Sequence, residues 1–387
     1  MMVFHGLQNQ VKWRLKMSKA AELAKAGETL TNQPSGRKNL VTNGAMQVAQ
    51  RSASVTGLGA ASGYHTLDRF SVDIGATASA GRYTMTQTAD GPSGFANCLK
   101  LDCTTADTSI AAGEALFIQQ RFEGQDLQQL KKGTSDAESV TVSFYVKGDQ
   151  AATYTCELFD HDNSRAIAQS FAVTTDWNRI ELTFAADTTD PLNDDNALSF
   201  ELAFWLHGGS TYTGGTFSSN AWKDNVQNTR LSDSQTSFFD STDREFFITG
   251  VQMEIGSQAT NFEHRSFGEE LALCYRYTQR HPSSDSGENF NIIANGFAGS
   301  ATETFHFCRH YQTMRAEPSL TNNGSFRVRY RATATNVTSA TTIHDPGSNM
   351  DHTFLVGTVA STQTTGEGSL LEQGDDVDAH ILLDAEL

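Results

Sequence analysis

The feature that most constrains the fold of this chain is a two-residue alternation of apolar and polar side chains, which returns in segment after segment between residues 39 and 267. Side chains of a β-strand point alternately to the two faces of a sheet, so this pattern is typical of strands with one buried face. Clusters of turn-forming residues, such as DTTDPLNDDN at 187–196, separate the segments. Four segments show the alternation most clearly: 140–148, 179–187, 199–209 and 245–256. Many short strands without intervening helices predict an all-β fold with a jelly-roll β-sandwich.

Helical patterns flank this region on both sides. Residues 8–27 carry apolar side chains at three- and four-residue spacing among good helix formers, which predicts a helix, and the polar residues 28–38 predict a linker. Residues 266–277 predict a short helix because Ser266 and Glu269 have the spacing of a capping box. Strand-like segments then continue at 289–297, 301–309, 325–332, 352–359 and 379–387. The predicted parts are a basic helical anchor and linker (1–38), a jelly-roll domain (39–267), a helical hinge (268–280) and a smaller C-terminal β-domain (281–387).

The charge is distributed unevenly along the 387 residues. The whole chain has a net charge of −17, which argues against general binding of DNA or RNA. Residues 1–38, in contrast, carry seven Lys or Arg and two Glu. A basic arm on an acidic body suggests docking onto an acidic partner, and a solvated helix with lysines on its outer face explains the same pattern equally well. The docking candidates are Lys12, Arg14, Lys16, Lys19 and Lys25.

Five cysteines are present, and no C-x-x-C motif occurs. Cys98 and Cys103 would point to opposite faces of one strand and lie roughly 16 Å apart, beyond disulfide reach. All five are therefore predicted to be thiols of a protein assembled in a reducing cytoplasm. No apolar run is long enough to span a bilayer, and no apolar segment follows the basic N-terminal residues, so neither membrane insertion nor a signal peptide is expected.

A series of collinear phrases runs through residues 39–277. The closing phrase FITGVQMEIGSQATNFEHRSFGEELALCYRY (247–277) is the most specific, and the opening phrase is NLVTNGAMQVAQRS (39–52). Between them lie YHTLDRF (64–70), GPSGFANCLKL (91–101), QQRFEGQDLQQLKKGT (119–134), VTVSFYVKG (140–148), DWNRIELTF (176–184) and FWLHGGSTYTGGTF (204–217). Together these phrases resemble a group of virion proteins from tailed phages, especially marine and cyanophage-type ones. Residues 278–387 match more weakly, and residues 1–38 lie outside the match.

The resemblance implies a tail fibre or fibre-like structural protein whose central domain is similar to carbohydrate-binding jelly rolls. In that fold the first and last strands pair, which would place residues 39–50 beside residues 246–255. The implied partners are other virion proteins and a host-surface glycan, in a homo-oligomer that we expect to be a trimer. A capsid decoration or head-fibre protein is the main alternative, and a polysaccharide depolymerase is the second.

Aromatic residues near glycine-rich turns are the candidates for glycan binding, because flat rings cover the apolar faces of sugars. They are Trp205, Tyr212, Phe217 and Trp222. Core packing is the competing explanation for Trp205 and Phe217. Tyr212 and Trp222, which lie among Gly, Ser, Thr and Asn, are expected to be exposed.

Two patterns suggest metal ions. The loop that holds Asp187, Asp190, Asp194 and Asp195 offers the oxygen ligands of a structural calcium, although Asp residues also form turns by themselves. His306, Cys308 and His310 alternate and would share one face of a strand, which suits zinc or iron. The favoured explanation for the second set is an outward polar face with Phe305 and Phe307 in the core.

Catalytic motifs are absent from the sequence. No G-x-S-x-G, Walker A or Rossmann fingerprint occurs. Hydrolysis of a glycan needs two carboxylates at a fixed separation, and sequence spacing among 45 acidic residues singles out no pair. The chain is therefore predicted to bind and not to catalyse.

Overall fold

A computed structural model describes residues 37–283, 290–330, 333–343, 348–360 and 363–387. The described chain is mostly β-strand, so the predicted all-β class is confirmed. The predicted helix at 8–27 and the five basic docking candidates lie outside the described residues. Compactness separates residues 1–38 from residues 39–387, and the second unit is the one described below. None of the helices within the described ranges is long and apolar enough to cross a membrane.

Thirteen strands build the first part of this unit. In chain order they are β1 (Ser54–Leu58), β2 (Gly63–Tyr64), β3 (Ser71–Ile74), β4 (Arg82–Thr88), β5 (Cys98–Thr105), β6 (Ala115–Glu123), β7 (Val140–Gly148), β8 (Ala152–Asp160), β9 (Arg165–Val173), β10 (Asn178–Phe184), β11 (Leu198–Gly208), β12 (Lys223–Asp224) and β13 (Glu245–Ile255). Two sheets result, with strand orders β1-β4-β5-β13-β7-β10 and β12-β9-β8-β11-β6-β3-β2. Their inner faces share one apolar core, to which β7, β11 and β13 contribute alternate residues, as the sequence predicted.

The first residues of the match run beside the last strand of the sandwich. The Leu40 amide donates to the Met253 carbonyl at 2.9 Å, and the Val251 amide donates to the Gly44 carbonyl at 2.9 Å. Asn39 extends this contact with its side chain, which donates to the Val251 carbonyl and accepts from the Met253 amide. The predicted neighbourhood is present over residues 39–44, but these residues form an irregular segment and not a strand.

Two α-helices and three short 3₁₀ helices accompany the strands within the described residues. The α-helices are α1 (Ser210–Thr213) and α2 (Phe267–Cys274), and the 3₁₀ helices are Gly124–Asp126, Gln128–Leu130 and Gln227–Thr229. The predicted capping box of α2 is confirmed. The Ser266 side chain accepts from the Glu269 amide, and the Glu269 carboxylate accepts from the Ser266 amide. The segment treated as a hinge, 268–280, forms α2 and the beginning of the next strand.

In the described residues of the second part there are nine strands. They are β14 (Thr278–His281), β15 (Ile292–Ala298), β16 (Glu303–Arg309), β17 (Ser319–Asn323), β18 (Phe326–Tyr330), β19 (Thr333–Ile343), β20 (His352–Val359), β21 (Gly368–Gln373) and β22 (His380–Asp384). Six of them close into a barrel in the order β15-β16-β20-β19-β18-β21, and β14-β22-β17 form a three-stranded sheet. A separate apolar core fills this part, with Val328, Leu355 and Leu371 among its members.

Strand β16 faces the opposite way from the favoured prediction. His306 and Cys308 are buried inside the barrel, whereas Phe307 is 44% exposed and Phe305 is half-buried outside it. Inside the barrel the Ser369 hydroxyl lies 3.1 Å from the His306 ring and gives it a polar partner, and Phe326 of β18 supplies an aromatic ring to the same core. The outward rings pack instead on each other, with Phe297 and Phe354 at 5.7 Å and 5.5 Å from the Phe305 ring centroid.

Residues 384–387 join the two parts. The buried Arg69 of the sandwich forms an ion pair with Glu386, and Arg121 donates to the Leu387 carbonyl at 2.9 Å. Burial opposes the charge of Arg69, but Glu386 and two nearby tyrosines outweigh it, so the pKa of Arg69 is raised. Arg51 adds a second ion pair, to Asp384 at 2.8 Å. A buried cation with one main anionic partner makes this junction sensitive to loss of that partner.

Candidate functional site

The candidate site begins on the outer face of the seven-stranded sheet. Leu116 and Phe204 belong to the core between the sheets, so their neighbours Phe117 and Trp205 point to the opposite face. Strands β6 and β11 are paired, and Phe117 lies directly across from Trp205. The two rings stack with centroids 4.2 Å apart and an interplanar angle of 25°. An apolar pair on the outer face of a sheet needs cover from another segment of the chain.

Residues 208–231 supply this cover. The chain leaves β11 at Gly209, where an added Cβ would lie 2.1 Å from the Ala111 carbonyl oxygen, so only glycine fits. Helix α1 then places Tyr212 against Trp205, with ring centroids 5.2 Å apart, and Leu231 completes a small second core. As a result Trp205 is fully buried and Tyr212 is only 8% exposed. The prediction that Tyr212 is an exposed ring is therefore wrong.

A buried ion pair fixes the edge of this small core. Arg230 donates from Nε to Glu157 at 2.9 Å and pairs with the same carboxylate through Nη2. The guanidinium lies 4.6 Å from the Trp205 ring centroid, and the Trp205 indole N–H donates to Glu157 at 2.9 Å. Burial acts to lower the pKa of Arg230, but the adjacent Glu157 raises it overall, so Arg230 is a fixed cation.

A cleft of about 290 Å³ opens beside these residues, at the small end of the range for ligand sites. Phe117, Trp205 and Tyr212 form its floor, and its rim includes Ser62, Asp73, Gln227 and Arg230. Asp73 is partly exposed, and Arg121 lies 3.8 Å from its carboxylate. Burial, and then the nearby Glu201, raise the pKa of Asp73.

The polar groups of the rim differ in how many of their hydrogen-bonding atoms already have a partner within the protein. The structure gives no hydrogen-bond partner, among the residues it describes, to the Tyr212 hydroxyl or the Gln227 amide. Arg230 uses Nε and Nη2 for Glu157. The cleft thus combines an apolar floor with a carboxylate, an amide, a phenol and the remaining guanidinium N–H groups, a set that can donate to and accept from hydroxyl groups.

Two of the four predicted aromatic residues lie elsewhere. Trp222 is half-buried, its indole N–H donates to the Ala185 carbonyl at 2.7 Å, and its ring packs 6.3 Å from that of Phe200. Phe217 is half-buried, with the Lys223 ammonium 5.8 Å from its ring centroid. Sequence reasoning missed Phe117 and Asp73, because the pairing of β3 and β11 with β6 brings them to Trp205 and no local pattern encodes that pairing.

The proposed calcium loop holds a lysine instead. The buried Lys132 ammonium lies 2.6 Å from Asp160 and 3.1 Å from Asp187, and it donates to the carbonyls of Thr189 and Asp190 at 2.9 and 2.8 Å. Asp187 also accepts two hydrogen bonds from Arg165. Burial acts to raise the pKa of Asp187, but hydrogen bonds from Arg165, Thr189 and Lys132 lower it overall.

The four predicted calcium ligands do not form a set. Asp190, Asp194 and Asp195 are exposed, and the Asp195 carboxylate accepts from the Ala197 amide in a turn. Over the described ranges, no group of three or more His, Cys, Asp or Glu side chains is arranged to hold a metal ion. His306, Cys308 and His310 do share one face, but they contact Ser369, His281 and Thr353 respectively.

Comparisons with solved structures return carbohydrate-binding modules at low similarity. A family 4 module has a TM-score of 0.29 and 13% identity and covers 56% of this chain and 99% of its own. A family 61 module in complex with β-1,4-galactotriose has a TM-score of 0.28 and 7% identity over 57% of this chain and 100% of its own. A family 11 module of a Clostridium thermocellum cellulase has a TM-score of 0.26 and 11% identity over 56% and 100%. At such TM-scores these similarities support no inference about the ligand of this chain. No protein-family model and no curated protein matches it.

Proposed function

We propose that this protein is a non-enzymatic structural protein of a tailed-phage particle, a tail fibre or fibre-like appendage that binds a host-surface glycan. Residues 1–38 dock it to other virion proteins, and the β-rich body faces the host. The assembly is a homotrimer, put together in the host cytoplasm. Binding at each site is weak, and several copies strengthen it through multivalency.

The cleft beside Trp205 is the observation that carries the glycan part of this proposal. The packed rings of Phe117, Trp205 and Tyr212 support the cleft from below, and its rim offers Asp73, Gln227 and Arg230 to hydroxyl groups. Planar carboxylate, amide and guanidinium groups suit the paired hydroxyls of a pyranose. A volume of about 290 Å³ suits a single sugar residue or the end of a glycan chain.

The charged groups of the cleft favour binding over catalysis. Glu157 is fully engaged by Arg230 and the Trp205 indole, so it is held as a paired carboxylate. Arg121 lies near both Asp73 and Glu201, at 3.8 and 3.6 Å. Cleavage of a glycan requires a pair of carboxyl groups at a fixed separation, and among the described residues that line the cleft Asp73 is the one carboxylate. The virion part of the proposal rests on the collinear phrases between residues 39 and 277.

Removal of a single hydroxyl tests the glycan site. Tyr212→Phe keeps the ring that packs on Trp205 but deletes the hydroxyl at the cleft, so folding is preserved while one hydrogen bond to the ligand is lost. We expect the Kd for the bound glycan to rise by about two- to tenfold. The measurement is titration calorimetry of the full chain against purified bacterial surface polysaccharides and neutral oligosaccharides of glucose, galactose, mannose and xylose.

Tyr145→Phe is the matched control for this experiment. Tyr145 lies on the other sheet, and its hydroxyl also has no hydrogen-bond partner in the described part of the chain, so the same deletion there leaves the Kd unchanged. Equal Kd values for wild type and Tyr212→Phe would reject the cleft as the site. Release of reducing ends from the polysaccharide during long incubation would overturn the non-enzymatic assignment.

A further inference from the structure

A second depression, of about 720 Å³, lies on the barrel. It is lined by the end of β16, the loop that follows and the beginning of β20. Its principal residues are Phe307, Arg309, Tyr311, Gln312, Asp351 and His352. We propose that this depression is a second saccharide site, for a neutral pyranose. The inference rests on the proposed glycan-binding function and adds a site on a different part of the molecule.

Two aromatic rings in this depression face solvent far more than those of the cleft. Phe307 is 44% exposed and Tyr311 is 47% exposed. Each ring is supported by a second ring: His352 lies 4.5 Å from Phe307, and His281 stacks on Tyr311 at 4.2 Å with an interplanar angle of 13°. A ring that is packed on one side and open on the other is a rigid platform for the apolar face of a sugar.

Hydrogen bonds hold the loop that carries Tyr311 in place. The His310 amide donates to the Asp351 carbonyl at 3.0 Å, and the His310 ring contacts the Met350 carbonyl and the Thr353 hydroxyl, both at 2.8 Å. The Tyr311 amide donates to the Gln279 side chain at 2.8 Å. The position of the Tyr311 ring is therefore set before any ligand arrives, which reduces the entropy cost of binding.

The charges in the depression favour a neutral ligand with hydroxyl groups. Arg309 is exposed and has no ion-pair or hydrogen-bond partner among the residues that the structure describes. Asp351 uses one carboxylate oxygen for the Thr313 hydroxyl at 2.6 Å and is otherwise exposed. The formal charges of Arg309 and Asp351 sum to zero. An apolar protein partner would strip water from both charges without replacing it, whereas sugar hydroxyls can replace it.

The experiment counts sites on the full chain. Titration calorimetry with neutral hexasaccharides of glucose, galactose, mannose and xylose gives the number of molecules bound per chain, and we expect two. Phe307→Ala and, separately, Tyr311→Ala should lower the affinity of one site about tenfold. Phe297→Ala is the matched control, because Phe297 is 46% exposed on the outer face of the same barrel but does not line the depression.

The outcomes separate this inference from the proposed function. Binding of one molecule per chain that Tyr212→Phe weakens, and that Phe307→Ala and Tyr311→Ala leave unchanged, would overturn the second site and keep the first. Absence of binding to every sugar, surface polysaccharides included, would overturn both. Sedimentation velocity is run on each variant. Dissociation of an oligomer by Phe307→Ala but not by Phe297→Ala would make this face a contact between copies and would also overturn the second site.

Discussion

Lys132 neutralises two buried carboxylates, Asp160 at the end of β8 and Asp187 in the loop after β10. Its ammonium group meets Asp160 and Asp187 together with two backbone carbonyls, an arrangement of oxygens that resembles a cation site. The sequence showed the acidic loop at 187–196 but not the cation, because Lys132 lies in the segment after β6, far along the chain from Asp187. The chain thus places its own cation among these oxygens.

Replacement of Lys132 tests this role. Lys132→Met keeps most of the aliphatic chain and leaves two buried carboxylates without their shared partner, so we expect the free energy of unfolding to fall by about 3–5 kcal/mol. Urea denaturation at neutral pH measures the change. Lys131→Met is the control, because the neighbouring Lys131 is exposed and pairs with Glu138 at the surface, where little stability is at stake. Equal losses for the two variants would contradict the role of Lys132.

Residues whose roles depend on near neighbours were the ones that the sequence predicted. Ser266 and Glu269 cap α2 as expected, because the two partners lie within one turn. The prediction of an exposed Tyr212 ring was wrong, since the burial of this ring depends on how residues 208–231 fold back over Trp205. The cleft therefore emerges only from the paired strands, although two of its residues were among the candidates.

At the scale of elements, the alternation of a strand indicates which residues share a face but not which face is buried. The sequence grouped His306, Cys308 and His310 correctly and then assigned them to the wrong side of β16. In an isolated strand both assignments satisfy the pattern, and phenylalanine is the more apolar choice for a core. In the closed barrel the buried His306 has a polar partner, Ser369 on β21, and this strand is too distant in sequence for the local pattern to indicate which face is buried.

Two buried histidines, His306 of the barrel and His281 of β14, make the stability of the second part depend on pH. Burial lowers the pKa of His306 to about 4, and burial with the nearby His310 lowers the pKa of His281 to about 3. In the unfolded chain both titrate near pH 6.5. Their contribution is thus fully present above pH 6.5 and is lost as the pH falls toward 4, because only the unfolded chain takes up the protons.

A histidine replacement checks this dependence. In His306→Gln, the loss of unfolding free energy between pH 7 and pH 5 should be smaller than in wild type by about 2 kcal/mol. Urea denaturation at the two pH values gives the difference. Thr304→Val is the control, since the buried Thr304 donates to the Gly357 carbonyl in the same barrel and does not titrate, so it should weaken the fold equally at both pH values. An unchanged pH difference in His306→Gln would refute the prediction.

At the scale of the whole molecule, residues 39–387 form one compact unit that is separate from residues 1–38. Removal of residues 1–38 should therefore leave a folded body with an unchanged thermal midpoint, but one that no longer enters the particle. Circular dichroism tests the first expectation, and mass spectrometry of purified particles tests the second. Replacement of the five basic residues by glutamine separates the role of charge from that of the segment. Normal incorporation of the truncated chain would refute the anchor.

Long-range connections were the part of the architecture that the sequence did not give. The strand positions of the sandwich agree with the alternating segments because each is a local pattern. The ion pair of Arg69 with Glu386 joins residues that lie 317 positions apart, and no local sequence pattern predicts it. The strong part of the resemblance ends at residue 277. The one long-range contact that it implied is that between the beginning of the match and the last strand of the sandwich, which the structure shows between residues 39–44 and β13.

That contact has a consequence for the making of the protein. Strand β13 lies between β5 and β7 in its sheet, and Asn39 bonds to Val251 across 212 positions of sequence. During synthesis β5 and β7 leave the ribosome long before β13, so the edges that pair with β13 remain unpaired until it is made. Unpaired strand edges are surfaces through which nascent chains aggregate. Closing so long a loop is also slow. We therefore expect the yield of soluble protein to depend on shielding during synthesis, by chaperones or by slow expression at low temperature.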